Sequence, residues 1–141
     1  LGLEAAVEHD GARAAPILLA DRGGAPVRSE RLALQSATGK IAALDCAAAA
    51  PRSGAAAAIQ VLAIERHYAI SRVLRFEVPA RPGGRILQPT LVRDLGALAA
   101  GRNFEGLAQL ADGRIALIND NQSRTVDGPS MLLILPAPAA P

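Results

Sequence analysis

Apolar residues recur along this chain in short runs bounded by Gly, Pro, Asp and Asn, a punctuation that reads as strands rather than helices. The runs predict strands at Glu4 to Glu8, Pro16 to Ala20, Arg31 to Gln35, Ile41 to Cys46, Ala58 to Ile64, Ser71 to Val78, Ile86 to Val92, Glu105 to Leu110, Ile115 to Ile118 and Met131 to Leu135. Asp94 to Gly101 reads as a helical turn, because Leu95, Leu98 and Ala99 fall at helical spacing. Ala47 to Ala58 is rich in helix formers but is broken by Pro51 and Gly54, so it reads as a loop. Asp10-Gly11 and Asp112-Gly113 each join two apolar stretches and predict hairpin turns, and Pro82-Gly83-Gly84 marks another turn.

One pattern repeats. Ile17-Leu18-Leu19-Ala20-Asp21-Arg22, Val61-Leu62-Ala63-Ile64-Glu65-Arg66 and Ile115-Ala116-Leu117-Ile118-Asn119-Asp120-Asn121 each run from apolar residues into an acid and then a polar residue, and another apolar strand follows each. A second repeat overlaps it: Leu3 to Val7 leads to Asp10-Gly11 as Phe104 to Ala108 leads to Asp112-Gly113. A unit of about 45 to 50 residues with three or four strands is the size of a propeller blade. The expected fold class is therefore all-β, a partial β-propeller of about three blades of three to four antiparallel strands. The blades fall near Leu1 to Thr38, Gly39 to Leu98 and Ala99 to Leu135, with residues 136–141 an Ala/Pro-rich extended tail. Three blades cannot close a ring, so the rest of the propeller is expected upstream. An ordinary antiparallel sandwich is the competing fold.

Composition narrows the classes. Half the residues are hydrophobic, but many are Ala, and two Phe and one Tyr leave few large anchors, so Leu, Ile and Val must build the core. The net charge is +2, and Arg residues are scattered among acids rather than striped, which gives no nucleic-acid footprint. Cys46 is the single cysteine, so no disulfide forms within the chain; flanked by Ala47 to Ala50, it reads as a small buried hydrophobe. No apolar run approaches the ~20 residues of a membrane helix, and no charged-then-apolar leader opens the sequence.

Asn103-Phe104-Glu105-Gly106-Leu107-Ala108, Asp112-Gly113-Arg114, Asn119-Asp120-Asn121-Gln122 and the apolar Met131 to Leu135 together resemble the closing segment of the phytase-like esterase family. Val61 to Arg66, with Tyr68 and Arg72, is similar to that family's Leu-x-Leu-Glu-Arg strand, and Gly2-Leu3-Glu4 to an upstream Gly-Leu-Glu strand. Asn119 stands where the family usually has Ser, and Asp21-Arg22 where it has Glu-Arg or Glu-Gly. The resemblance implies a six-bladed, secreted or periplasmic bacterial propeller with hydrolase activity on small-molecule phosphoesters or carboxylic esters.

The repeats carry a geometric expectation of their own. If each unit opens with its innermost strand, then Glu4 and Glu105 start inner strands, and Asp21, Glu65 and Asp120 end second strands, so the five acids converge on one face. Clustered carboxylates need compensation, and oxygen-only ligation suits Ca²⁺. Glu4, Asp21, Glu105 and Asp120 are the expected metal ligands; Glu105, Glu65 and His67 the catalytic candidates; Arg22, Arg66 and Arg124 the groups for an anionic substrate. Each has a plainer reading. Glu4 and Glu105 can pin inner strands, Glu65-Arg66 can pair with adjacent blades, Asp120-Asn121 can form a turn, and His67 can be structural. Two other functions stay open: a non-catalytic cell-envelope binding propeller, and a lactonase-like hydrolase.

Overall fold

The computed structural model describes residues 6–9, 11–47, 58–67, 70–100, 102–120 and 129–138. These residues form three antiparallel sheets. Sheet I has the order β1 (Val7–His9), β2 (Ala12–Ala20), β3 (Pro26–Ala33). Sheet II is a meander of β4 (Lys40–Cys46), β5 (Ile59–His67), β6 (Ile70–Val78) and β7 (Thr90–Asp94). Sheet III has β8 (Asn103–Gln109), β9 (Ile115–Asp120) and β10 (Leu132–Leu135), with β9 in the middle. The expected helical turn is α1 (Gly96–Ala99), whose first amide is held by the Asp94 carboxylate (2.8 Å). The expected hairpin turn at Asp112-Gly113 is present, with Gly113 at φ +83° and Asp112 Oδ1 accepting from the Arg114 amide.

Sheet II lies between the other two. Val61 to Glu65 in β5 are buried without a break, because successive side chains point to opposite faces and both faces are covered. One face turns Val61, Ala63, Leu74 and Phe76 toward Ala15, Ile17 and Leu32 of sheet I. The other turns Leu62, Ile64 and Val73 toward Phe104, Ile115 and Leu117 of sheet III. Each fully buried Leu, Ile or Phe contributes about 1.5–3 kcal/mol, so these two seams supply most of the core in a chain poor in aromatics.

The strand registers show which elements correspond. In β4–β5 the pairs Lys40↔Arg66 and Ile41↔Glu65 are followed by a skip to Ala43↔Ile64. In β8–β9 the pairs Asn103↔Asp120 and Phe104↔Asn119 are followed by the same skip to Gly106↔Ile118. Sheet III therefore repeats β4, β5 and β6. Sheet I repeats the last three strands instead. The Leu34 amide donates to the Arg13 carbonyl (3.0 Å) as the Leu95 amide does to Ser71 (2.9 Å), and His9↔Ala12 closes its hairpin as His67↔Ile70 does. β1, β2 and β3 thus match β5, β6 and β7. The expectation that the first unit opens with its innermost strand is corrected by this pairing, since an apolar run carries no mark of its rank in a meander.

Two edges follow. At the upper edge lie the end of β3, the start of β4, the β5–β6 hairpin and the end of β7. At the lower edge lie the β2–β3 turn, the end of β4 and residues 79–89. That last segment explains the shift of the predicted Ile86 to Val92 strand to Thr90–Asp94. Leu87 crosses to sheet I and makes a parallel bridge to Leu32, with its amide on the Arg31 carbonyl (2.7 Å). Arg28 fastens the crossing by donating to the Pro79 and Ala80 carbonyls, and its Nε lies 3.4 Å from the buried Glu30. Sheets II and III are joined at the same edge, where the Gln109 amide donates to Asp45 Oδ2 (2.6 Å). Cys46, expected to be buried, is exposed, because it ends the edge strand of sheet II.

Candidate functional site

The polar residues worth attention as a site gather at the upper edge, on the two seams of sheet II. Glu65 points toward sheet I because it shares a face with Val61 and Ala63. It is fully buried, yet its carboxylate is satisfied. Oε2 accepts from the Gln35 amide (3.1 Å), and Oε1 from the Ser36 amide (3.0 Å) and hydroxyl (2.8 Å). Ser36 Oγ in turn accepts from the Gly39 amide (2.8 Å). Glu65 is thus the acceptor that shapes the β3–β4 connection, which a backbone with unpaired amides could not hold in a buried position.

Arg66, one residue on, faces sheet III. Its guanidinium is paired with Glu105, and Glu105 Oε1 also accepts from Asn103 Nδ2 (2.8 Å). A regular β8 would aim Phe104 and Glu105 to opposite faces. The bulge at Phe104–Gly106 lets Phe104 fill the seam while Glu105 also reaches sheet II, a re-aiming that bulges commonly provide. A Cβ at Gly106 would press on a methyl of Ile118, whose side chain is half-exposed and can turn. Lys40 stands opposite Arg66 in the register, and Ser71 on its other side has a buried hydroxyl without a hydrogen-bond partner. Arg66 Nε is also buried without a partner. The edge therefore sets two cations, one carboxylate and two neutral donors side by side.

Of the other expected site residues, Asp21 and Arg22 lie at the far edge, whereas His67 and Asp120 lie at this one. Asp21 sits at the lower edge, where its Oδ1 accepts from the Gly23 (2.8 Å) and Ala25 (2.9 Å) amides and shapes the β2–β3 turn. The length of β3 separates it from the Ser36 end by roughly 25 Å at ~3.3 Å per residue. Arg22 belongs to the same far turn and is exposed. Gly11 lies with Arg13 at the upper edge, with φ +75°. Asp120 aligns with Arg66, and Asn119 with Glu65, so Asp120 faces away from sheet II and is exposed. Asn119 is buried and accepts from the Met131 amide. His67 ends β5, half-buried, beside Arg66. Glu4 and Arg124 lie outside the described residues. Among the described residues, no three His, Cys, Asp or Glu side chains group as a metal site would require. No helix among them is long and apolar enough to cross a membrane.

No family model, curated protein or solved structure matches this chain.

Sequence reasoning singled out Glu65, Arg66 and Glu105 but gave Asn103, Ser71 and Lys40 no role. Asn103 had a readable signal, since it stands two residues before Glu105 in the same strand. Ser71 and Lys40 had none, because only the β4–β5–β6 register brings them beside Arg66.

Proposed function

We propose that this chain forms consecutive blades of a β-propeller and binds a small molecule bearing a phosphoester or carboxylate at its upper edge, through Arg66 and Lys40. The blade reading is supported by three stacked antiparallel meanders, of which sheets II and III repeat one register and one bulge. In those terms β1–β3 are the second to fourth strands of a blade, β4–β7 are a complete blade, and β8–β10 are the first to third strands of the next. The approach of β8 to β4 fits inner strands converging on an axis.

The observation that carries binding rather than hydrolysis is the dispersal of the acids. Asp21 is at the opposite edge, Glu65 is committed to backbone amides, and Glu105 is engaged by Arg66 and Asn103. An arginine whose Nε–H has no partner, beside a lysine, suits an anionic oxygen ligand. The similarity to phytase-like esterases keeps a hydrolase as the second reading, with Glu105 and His67 as its acid–base groups and Ca²⁺ as its metal.

The test is titration of the protein with an aryl phosphate and an aryl carboxylate, alongside turnover assays with calcium and with chelator. Binding weakened at least tenfold by Lys40→Gln and unchanged by Arg22→Gln, without turnover, is the expected result. Turnover of either ester that disappears in Glu105→Gln would overturn it in favour of the hydrolase.

A further inference from the structure

Glu105 stands at the extra position of the β8 bulge: Phe104 pairs with Asn119 and Gly106 with Ile118, and Glu105 pairs with neither. The same bulge in β4 falls at Ala42, between Ile41↔Glu65 and Ala43↔Ile64. A bulge of this kind therefore forms without an acid, and Glu105 answers a different requirement. Around it lie donors from three strands. Arg66 of β5 and Asn103 Nδ2 of β8 (2.8 Å) both donate to one oxygen, Oε1. Arg66 Nε and the Ser71 hydroxyl, on residues opposite each other in the β5–β6 register, are buried without a partner. Ser71 is 7% exposed, whereas the Glu105 side chain is 33% exposed. The resident carboxylate thus fills an oxygen site only in part, and it does so where solvent reaches it.

We propose that Glu105 is an internal stand-in for the ligand, and that the ligand is a carboxylate that displaces it from Arg66 and Asn103. The inference rests on the anion-binding reading above and names the ligand and the regulation of that same site. Two convergent donors already hold a carboxylate oxygen, so the occupant shows what chemistry the site accepts. Tethered to β8, Glu105 gives one oxygen to both donors. A free carboxylate can present both of its oxygens to the Arg66 fork, Nε included. Lys40 stands opposite Arg66, so the two cations and Glu105 together leave one positive charge. A singly charged carboxylate balances that charge, and a doubly charged phosphomonoester overshoots it. An ion pair this open to water is held weakly enough to exchange. A site filled for about nine-tenths of the time by its own carboxylate binds an external one about tenfold more weakly than an empty site.

The experiment is calorimetric titration with benzoate and with phenyl phosphate, together with melting temperatures, for the parent protein, Glu105→Ala and Glu105→Gln. The expected result is benzoate bound about tenfold or more tightly by Glu105→Ala than by the parent. Phenyl phosphate should bind more weakly than benzoate to both. Glu105→Gln keeps an acceptor for Arg66 and Asn103, so its gain should be smaller. Benzoate should raise the melting temperature of Glu105→Ala more than that of the parent, and adding Arg66→Gln should abolish this rescue. Equal benzoate affinity in the parent and Glu105→Ala, or in the parent and Glu105→Gln if the Ala variant does not fold, would overturn the stand-in. Glu105 would then be a tie between sheets, and the anion-binding reading would stand. Phenyl phosphate bound more tightly than benzoate by the parent would overturn the carboxylate as ligand. Binding of neither anion by the parent or the variants would remove the anion-binding reading itself.

Discussion

Replacing Glu65 with Ala tests whether the most deeply buried carboxylate among the described residues is structural. The substitution removes the acceptor of two backbone amides and one hydroxyl, those of Gln35 and Ser36. A buried donor left without a partner costs about 1–3 kcal/mol. Gln35 is exposed and Ser36 half-buried, so water can reach part of the vacated site, and the lower end of the range applies to each group. Three groups at that end give about 3 kcal/mol, to which the small cavity adds little. Against a total stability of about 5–15 kcal/mol that is a large loss. With a urea slope of about 2 kcal/mol/M, the denaturation midpoint should fall by about 1.5 M at unchanged slope. Glu65→Gln keeps one acceptor oxygen but turns an NH₂ toward an amide donor, so a fall of about 1 M is expected. The amide of Ser36, slow to exchange in the parent, should exchange faster in both variants. A midpoint change under about 0.3 M for Glu65→Ala would refute the structural role. A Gln variant of full stability that had lost ester turnover would return Glu65 to the catalytic candidates.

Two glycines separate tight space from yielding space. A Cβ at Gly39 would strike Glu65 Oε1 and Ser36 Oγ, both fixed in one network, whereas at Gly106 it would meet a methyl of Ile118, whose side chain is half-exposed and can turn. Thermal or urea unfolding should therefore show Gly39→Ala costing about 2–4 kcal/mol and Gly106→Ala about 1 kcal/mol or less. Arg28→Ala should cost about 3 kcal/mol, since it releases the Pro79 and Ala80 carbonyls and strands Glu30 in the seam without its cation. Adding Glu30→Gln should recover part of that loss in the same assay, and an additive double variant would argue against the pairing.

How much of this was legible beforehand differs from element to element. Each predicted strand has a counterpart, and β6 and β9 match closely because their apolar residues dominate their own span. β3 reaches back to Pro26, beyond its predicted start at Arg31, through Pro26 to Ser29, which is mostly exposed and carries no apolar run. Such residues become strand by pairing with Leu18 and Leu19, which their own pattern does not reveal. For the site, Glu65-Arg66 was visible as a charged pair at a strand end, including the reading that it links adjacent sheets. Its division of labour, Glu65 to one neighbour and Arg66 to the other, follows from the two-residue alternation of a strand covered on both sides.

The sequence by itself determined an all-β chain with three repeating units, its hairpin turn at Asp112-Gly113, and the polar residues that stand at strand ends. Those are local properties: period, turn chemistry and run length act within a few residues. Which strand comes first in each sheet was decided only by the tertiary structure, and with it the fate of the acids. Pairing partners lie far apart in sequence, and a one-residue skip, such as the bulge at Phe104–Gly106, changes which face a side chain takes. That is why Asp21, a repeat of Glu65 in the sequence, stands at the opposite edge.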